Sequence, residues 1–326
     1  MIKEVRMLRY SAKYFDKTSK IVKKHRPNSV VTLQFFQRVD NSILGGLNES
    51  LELLKKQTDT SKYAIKHRSE GDLINKGDIV LELEGHYSDF GEYEGIIDGI
   101  LSRSTSLATN AYRVMQVANG KDVIFMGDRA DHYLNQELDG YAIALGGIQT
   151  QVTDAHVSQH TGKAVGTVPH ALIQMFEGDL VAALHAYQDT FPDEALSALV
   201  DFNNDVITDS LKALEAFGQD LVSIRVDTSG NMSDAMFVND EEFGVTPLMI
   251  KSLREALDKH QGQHVKIIVS SGFDIDKIVL FEKEKTPVDV YGVGASLLKI
   301  NNTFTADAVR INGKEIAKVG RGYKPF

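Results

Sequence analysis

Leu221-Val-Ser-Ile-Arg-Val-Asp-Thr-Ser-Gly-Asn231 is a run of strand-forming residues that ends in a polar cluster. Three further stretches repeat the pattern: Lys163-Ala-Val-Gly-Thr-Val-Pro-His170, Val265-Lys-Ile-Ile-Val-Ser-Ser-Gly-Phe-Asp274 and Val288-Asp-Val-Tyr-Gly-Val-Gly-Ala-Ser296. Continuous Val/Ile/Leu runs mark parallel strands buried on both faces. In a β/α barrel the loops at the C-terminal strand ends carry the chemistry. The polar residues that close these runs are therefore expected to converge on one face.

Outward from these runs, strand and helix alternate. Strands are expected over 123–126, 148–152, 164–168, 195–201, 221–226, 265–269 and 288–293, with helices over 134–145, 207–217 and 246–260. About six to eight such units favour an incomplete or closed β/α barrel over an open sheet. Residues 1–112 read differently. A short charged helix covers 14–24, and Leu44, Leu47, Leu51 and Leu54 stand at helical spacing over 42–56. Short strands surround the Lys76-Gly77 turn, and a long helix covers 93–117. The tail carries a strand over 306–311, an Asn312-Gly313 turn and a second strand over 315–319, a hairpin expected to pack back on the first domain. The fold class is thus α/β, with an N-terminal α+β domain (1–112, joined by 300–326) and a barrel domain (113–299).

The 326-residue chain has a formal net charge of −9. It is long enough for a sizeable core and about two domains. No basic stripe is visible, so a nucleic-acid partner is not expected. Cysteine is absent, which excludes disulfides, thiolate zinc sites and a thiol nucleophile and fits a reducing compartment. The stretch Met1-Ile-Lys-Glu-Val-Arg-Met7 lacks the apolar core of a signal peptide, and no apolar run approaches the roughly 18 residues of a membrane span. A cytoplasmic enzyme with no membrane partner is the expectation.

Ser270-Ser-Gly-Phe-Asp274 and Gly292-Val-Gly-Ala-Ser296 close the last two strands. Glycines let backbone N–H groups approach an anion, and barrels often hold a phosphate after their last two strands. Ser271, Gly272, Gly292 and Gly294 are therefore phosphate candidates, although a Gly-Val-Gly also serves tight packing. Arg225 and Asp227 flank Val226 and share one side of a strand. They read either as a cation for an anionic group with a carboxylate for a sugar hydroxyl or Mg²⁺, or as a salt bridge at the barrel rim. His170 opens a helix at a strand end, where an imidazole can move a proton or accept a phosphoryl group; it reads equally as a packed or surface histidine. His156 and His160 stand four apart, but with no third ligand in reach they read as a polar helix face. Arg129, in Gly127-Asp-Arg-Ala-Asp-His132, suits a planar carboxylate or is a solvated loop charge.

Several of these stretches carry a family resemblance. With Ser11-Ala-Lys-Tyr-Phe-Asp-Lys-Thr18, Gly99-Ile-Leu-Ser-Arg-Ser-Thr-Ser-Leu-Ala-Thr109 and Ala164-Val-Gly-Thr-Val-Pro-His-Ala-Leu-Ile173, the chain resembles the shorter, archaeal-like nicotinate phosphoribosyltransferases among the type II phosphoribosyltransferases. The resemblance implies synthesis of nicotinate mononucleotide and pyrophosphate from nicotinate and phosphoribosyl pyrophosphate, with Mg²⁺, coupled to ATP hydrolysis through a phosphohistidine, in NAD biosynthesis. It makes His170 that histidine. Arg225 and Asp227 would hold the ribose and pyrophosphate end, and Asp201 and Asp227 the metal. Arg129, Arg103 and Thr167 would serve substrate binding, and Tyr14 would stack on the pyridine ring across a subunit boundary of a homodimer or larger homo-oligomer. Two departures stand out. Asp128-Arg129 occupies a place where two basic residues are frequent, and Ser270-Ser-Gly replaces Ser-Gly-Gly. Quinolinate phosphoribosyltransferase is the nearest rival, and a catalytically silent nucleotide-binding relative the alternative from another class. An unrelated barrel phosphate-binder lacks a well-placed lysine or carboxylate pair.

Overall fold

The computed structural model describes residues 7–237 and 242–326. Residues 1–6, read above for a leader, lie outside them. The chain divides into two compact units, Met1–Asn110 with Lys299–Phe326, and Ala111–Leu298.

The first unit starts with α1 (Lys13–His25), which buries Phe15 and Ser19 one helical turn apart. There follow β1 (Val30–Phe36), β2 (Ser42–Ile43), α2 (Leu47–Gln57), β3 (Ala64–His67), β4 (Leu73–Ile74), β5 (Ile79–His86), α3 (Tyr87–Phe90) and α4 (Glu94–Val117). The helix expected over 42–56 begins five residues late, because Ser42 and Ile43 pair with β4. Gly45 and Gly46 then press against α4, where a Cβ would meet the Ser104 and Ile100 backbones at 2.8 Å. Leu33, Phe35, Leu47, Leu54, Leu81, Leu83 and Leu101 fill the core of this unit.

The second unit alternates β6 (Asp122–Phe125), α5 (Gln136–Leu145), β7 (Thr150–Gln151), α6 (Asp154–Val157), β8 (Lys163–Ala164), α7 (His170–Met175), α8 (Leu180–Thr190), β9 (Leu196–Leu199), α9 (Val206–Phe217), β10 (Leu221–Val226), α10 (Pro247–Lys259), β11 (Lys266–Val269), α11 (Ile275–Lys283) and β12 (Val290–Val293). Its seven strands lie in the order β8-β7-β6-β12-β11-β10-β9, every pair parallel. The first strand of the unit pairs with its last, as barrel closure requires, while β8 and β9 form the two edges. The barrel is incomplete, open between those edges. Both faces are covered: β9 and β12 are buried at every residue, as the unbroken apolar runs demanded. Asp179, Asp205, Thr246 and Asp274 cap the helices that follow, each side chain accepting from a first-turn N–H. The chain turns into a helix within a few residues of β9 and of β11, and the parallel order of the strands brings the polar clusters at their C-terminal ends to one rim.

Two expected strands contract. The stretches 148–152 and 164–168 pair only through Thr150–Gln151 and Lys163–Ala164. Gly166 and Pro169 explain the second, since proline has no N–H for a ladder. At the tail, β13 (Thr305–Ile311) returns to the first unit and pairs antiparallel with β1, giving the sheet β14-β13-β1-β5-β3. Asn312 and Gly313 turn it with φ 47° and 75°. The strand expected over 315–319 reduces to β14 (Lys314–Glu315), and Val319 is exposed.

Candidate active site

Four loops of the second unit carry Asp201, Asp227, Ser271, Gly272 and Gly294 of the sequence candidates. After β9 comes Asp201, after β10 Asp227, after β11 Ser270, Ser271 and Gly272, and after β12 Gly294. His170 starts α7 a few residues beyond β8. Its Nε2 lies 3.1 Å from Asp201 Oδ2, so two residues distant in sequence form a pair. Asp201 is buried, and among the described residues its second carboxylate oxygen has no hydrogen-bond partner. Desolvation pushes its carboxyl above the usual range, the His170 pairing opposes this, and the charge of Asp227 adds to it.

Arg225 Nη1 donates to Thr167 Oγ1 at 2.8 Å, which brings the two expected substrate residues together. The Arg225 Nη2 stands 4.0 Å from Asp227 Oδ2, and its buried Nε has no acceptor among the described residues. Asp227 is held from the other side, where Ser270 Oγ donates to Oδ1 at 2.6 Å. The Ser270 hydroxyl is thus a positioning group that sequence reading passes over. The only available signal was its place in the quoted motif.

The loop after β11 is left-handed at two successive residues, Ser271 (φ 71°) and Gly272 (φ 70°). Among the described residues, the backbone N–H groups of Ser271, Gly272, Phe273, Gly294 and Ala295 donate to no protein acceptor. Free amides on the loops of two adjacent strands form an anion-binding concavity. Gly292 and Gly294 owe their identity to packing: a Cβ at Gly292 would meet Met126 Sδ at 2.7 Å and Ser270 Cβ at 3.0 Å, and one at Gly294 would meet the Met126 carbonyl oxygen at 2.7 Å. Gly292 is buried inside β12 and does not reach the loop.

Arg129 lies in the turn after β6, exposed, and among the described residues its guanidinium has no ion-pair or hydrogen-bond partner. His156 corrects the polar-face reading. It is buried against the Phe125 ring at 4.8 Å, with burial pushing its pKa down, and His160 contacts Gln151 at 3.0 Å. A neutral imidazole packs as an aromatic, and α6 is a single turn that offers no exposed face there. Among the described residues no cluster of three or more His, Asp and Glu is placed to hold a metal, and no helix is long and apolar enough to cross a membrane.

Tyr14 and Arg103 belong to the first unit. Tyr14 is exposed on α1 and lines, with Phe15, Val31, Leu33, Tyr87 and Glu94, a cavity of about 540 Å³. Arg103 is half-buried on α4.

The family described as quinolinate phosphoribosyl transferase, N-terminal domain, matches residues 14–105. The chain is 28% identical over 244 residues to nicotinate phosphoribosyltransferase pncB1 of Mycobacterium tuberculosis, spanning 74% of this chain and 51% of that protein. It is 25% identical over 240 residues to the nicotinate phosphoribosyltransferase of Bacillus subtilis, spanning 72% and 45%. The chain therefore spans about half the length of these curated relatives. Among solved structures, the nicotinate-nucleotide pyrophosphorylase of Pyrococcus furiosus superposes with a TM-score of 0.84 at 28% identity, covering 98% of this chain and 80% of that one. Human nicotinic acid phosphoribosyltransferase shares the fold, with a TM-score of 0.73 at 17% identity and coverage of 96% and 77%. In sequence and in fold, the chain resembles the nicotinate phosphoribosyltransferases within the type II phosphoribosyltransferases.

Proposed function

We propose that this protein joins nicotinate to phosphoribosyl pyrophosphate, giving nicotinate mononucleotide and pyrophosphate, with ATP hydrolysis as the coupled reaction. The observation that carries the reading is the pair of amide-bearing loops after β11 and β12, beside a rim where Asp227 and Arg225 follow on β10 and Asp201 and His170 form a pair. Free N–H groups suit a dianionic sugar phosphate. The buried Nε–H of Arg225 lacks an acceptor, and a substrate oxygen supplies one. Displacement at the anomeric carbon passes through a cationic sugar, which Asp227, fixed by Ser270, stabilises across the ring. The pyridine nitrogen attacks with its own lone pair, so no general base is required. Exposed Arg129 is free to grip the nicotinate carboxylate.

Asp201 accepts a hydrogen bond from the Nε2–H of His170, which leaves Nδ1 as the nitrogen with a lone pair to offer. Nδ1 is then the nucleophile toward the ATP γ-phosphorus: the N–P bond forms as the P–O bond to ADP breaks, and water later releases phosphate. Mg²⁺ fits the donors present. Asp201 and Asp227 offer hard oxygens on neighbouring strands, one buried and unpartnered, and this ion commonly takes one or two carboxylates plus substrate phosphates. When bound, it neutralises charge gathering on pyrophosphate. The subunit-shared role of Tyr14, a homo-oligomer and a cytoplasmic location belong to the same proposal.

Quinolinate is the second reading, favoured by the matched family description. A second substrate carboxylate needs a further cation, and residues 126–134 hold one Arg and no Lys. The deciding experiment is incubation with phosphoribosyl pyrophosphate and Mg²⁺, offering nicotinate, nicotinamide or quinolinate, each with and without ATP, with products read by mass. Nicotinate mononucleotide from nicotinate, increased by ATP, is the expected result. Product from quinolinate alone overturns the proposal, as does no product from any base, which leaves a silent binding relative.

A further inference from the structure

Lys277 belongs to no motif read from the sequence, and the chemistry above does not call on it. From α11 its Nζ donates to the Ser271 carbonyl at 3.2 Å and lies 4.4 Å from the centroid of the Phe273 ring. Half-buried, the ammonium is pushed below the ordinary lysine pKa by desolvation, with the charge of Asp274 opposing. The carbonyl it holds belongs to a serine in the left-handed region (φ 71°), followed by a left-handed glycine (φ 70°), a pair of conformations that the surroundings must enforce.

In a trans peptide the carbonyl of one residue and the N–H of the next point in opposite directions. Lys277, by gripping the Ser271 oxygen, therefore aims the Gly272 N–H away from itself. Gly272 itself is uncrowded. A Cβ on Gly272 would meet no atom within 4 Å, and the loop borders a cavity of about 890 Å³ lined by Gly272, Asp274, Lys277 and Leu280 among others. Glycine's conformational freedom makes a flip of the 271–272 peptide inexpensive, and a flip would turn the amide donor the wrong way.

We propose that Lys277 is a positioning residue of the phosphate loop, keeping the Gly272 N–H aimed at the sugar phosphate by holding the Ser271 carbonyl. The inference rests on the phosphate reading of that loop. The test uses the full chain as wild type, Lys277→Met and Lys277→Arg. Loss of one charge-assisted hydrogen bond leads to a rise of about tenfold in the KM for phosphoribosyl pyrophosphate in Lys277→Met, with the nicotinate KM and kcat little changed. Lys277→Arg, which keeps the donor, is expected to recover most of the loss. Equal damage to both KM values, or an arginine variant as impaired as the methionine one, overturns the inference.

Calorimetric binding of nicotinate mononucleotide against nicotinate riboside separates the two levels. If wild type prefers the mononucleotide and Lys277→Met prefers it equally, the Lys277 role falls alone. If wild type shows no preference, the phosphate reading falls and the Lys277 role with it.

Discussion

Gly292→Ala tests whether the rim is held together by packing one layer below the chemistry. The added Cβ would stand 2.7 Å from Met126 Sδ, 2.9 Å from Met126 Cε and 3.0 Å from Ser270 Cβ. Ordinary carbon contacts lie at about 3.5–4.0 Å, so each neighbour must yield by roughly half an ångström or more. The methionine tip is flexible and yields at little cost. Ser270 Cβ is set by the backbone just beyond β11, and it carries the hydroxyl that holds Asp227 at 2.6 Å. Overpacking of this kind costs about 1–3 kcal/mol, and here part of the displacement passes into the Ser270–Asp227 hydrogen bond. The expected outcome is a loss of stability within that range, measured by urea unfolding, together with a fall in kcat/KM of roughly tenfold. Adding Met126→Ala removes one obstacle and leaves the other. A double-mutant cycle should therefore restore stability in part, with activity still low. Gly292→Ala with wild-type stability and activity, or a double variant that regains full activity, refutes the reasoning.

His170→Ala should abolish stimulation by ATP and leave a slow ATP-independent synthesis; unchanged stimulation removes the role assigned to His170. Arg129→Ala, at an exposed and unpaired side chain, should alter stability by less than about 0.5 kcal/mol and raise the nicotinate KM about 10- to 100-fold through loss of a charged hydrogen bond. An equal rise in the KM for phosphoribosyl pyrophosphate argues against a carboxylate clamp. In the first unit, burial pushes Asp98 from 3.8 up to about 7, and burial with the Asp98 charge pushes Glu94 from 4.5 up to about 7. A raised carboxyl contributes stability fully present below its unfolded pKa and lost as pH rises through its folded one. Asp98→Asn should thus match wild type near pH 4 and exceed it by about 3–4 kcal/mol at pH 8. A stability difference independent of pH contradicts this.

What the sequence discloses and what it withholds divide along a physical line. The strand expected over 221–226 is β10 to the residue, and the helix over 93–117 is α4 less one residue, because a continuous apolar run or a long 3.6-residue period is a local property. The helix Leu180–Thr190 is singled out by no expectation, and its buried Leu180, Ala183 and Leu184 form only a short stripe. Strand ends were likewise legible, so Asp201, Asp227 and Gly294 fall at one rim. Contacts between those ends were not. That Ser270 reaches Asp227 follows from the parallel register of Val226 with Val269, and register is fixed by the order of strands in the sheet, which no single run encodes. His156 shows the same limit from the other side, since a histidine pair at helical spacing reads as polar until the β6 aromatic against which it packs is known. The pairing of Lys277 with Ser271 is local, six residues apart, but depends on two left-handed residues, one of them a serine. Serine carries no signal of that conformation. The chemistry is therefore legible where it depends on residue type at a strand end, and hidden where it depends on which backbone atom a neighbour restrains.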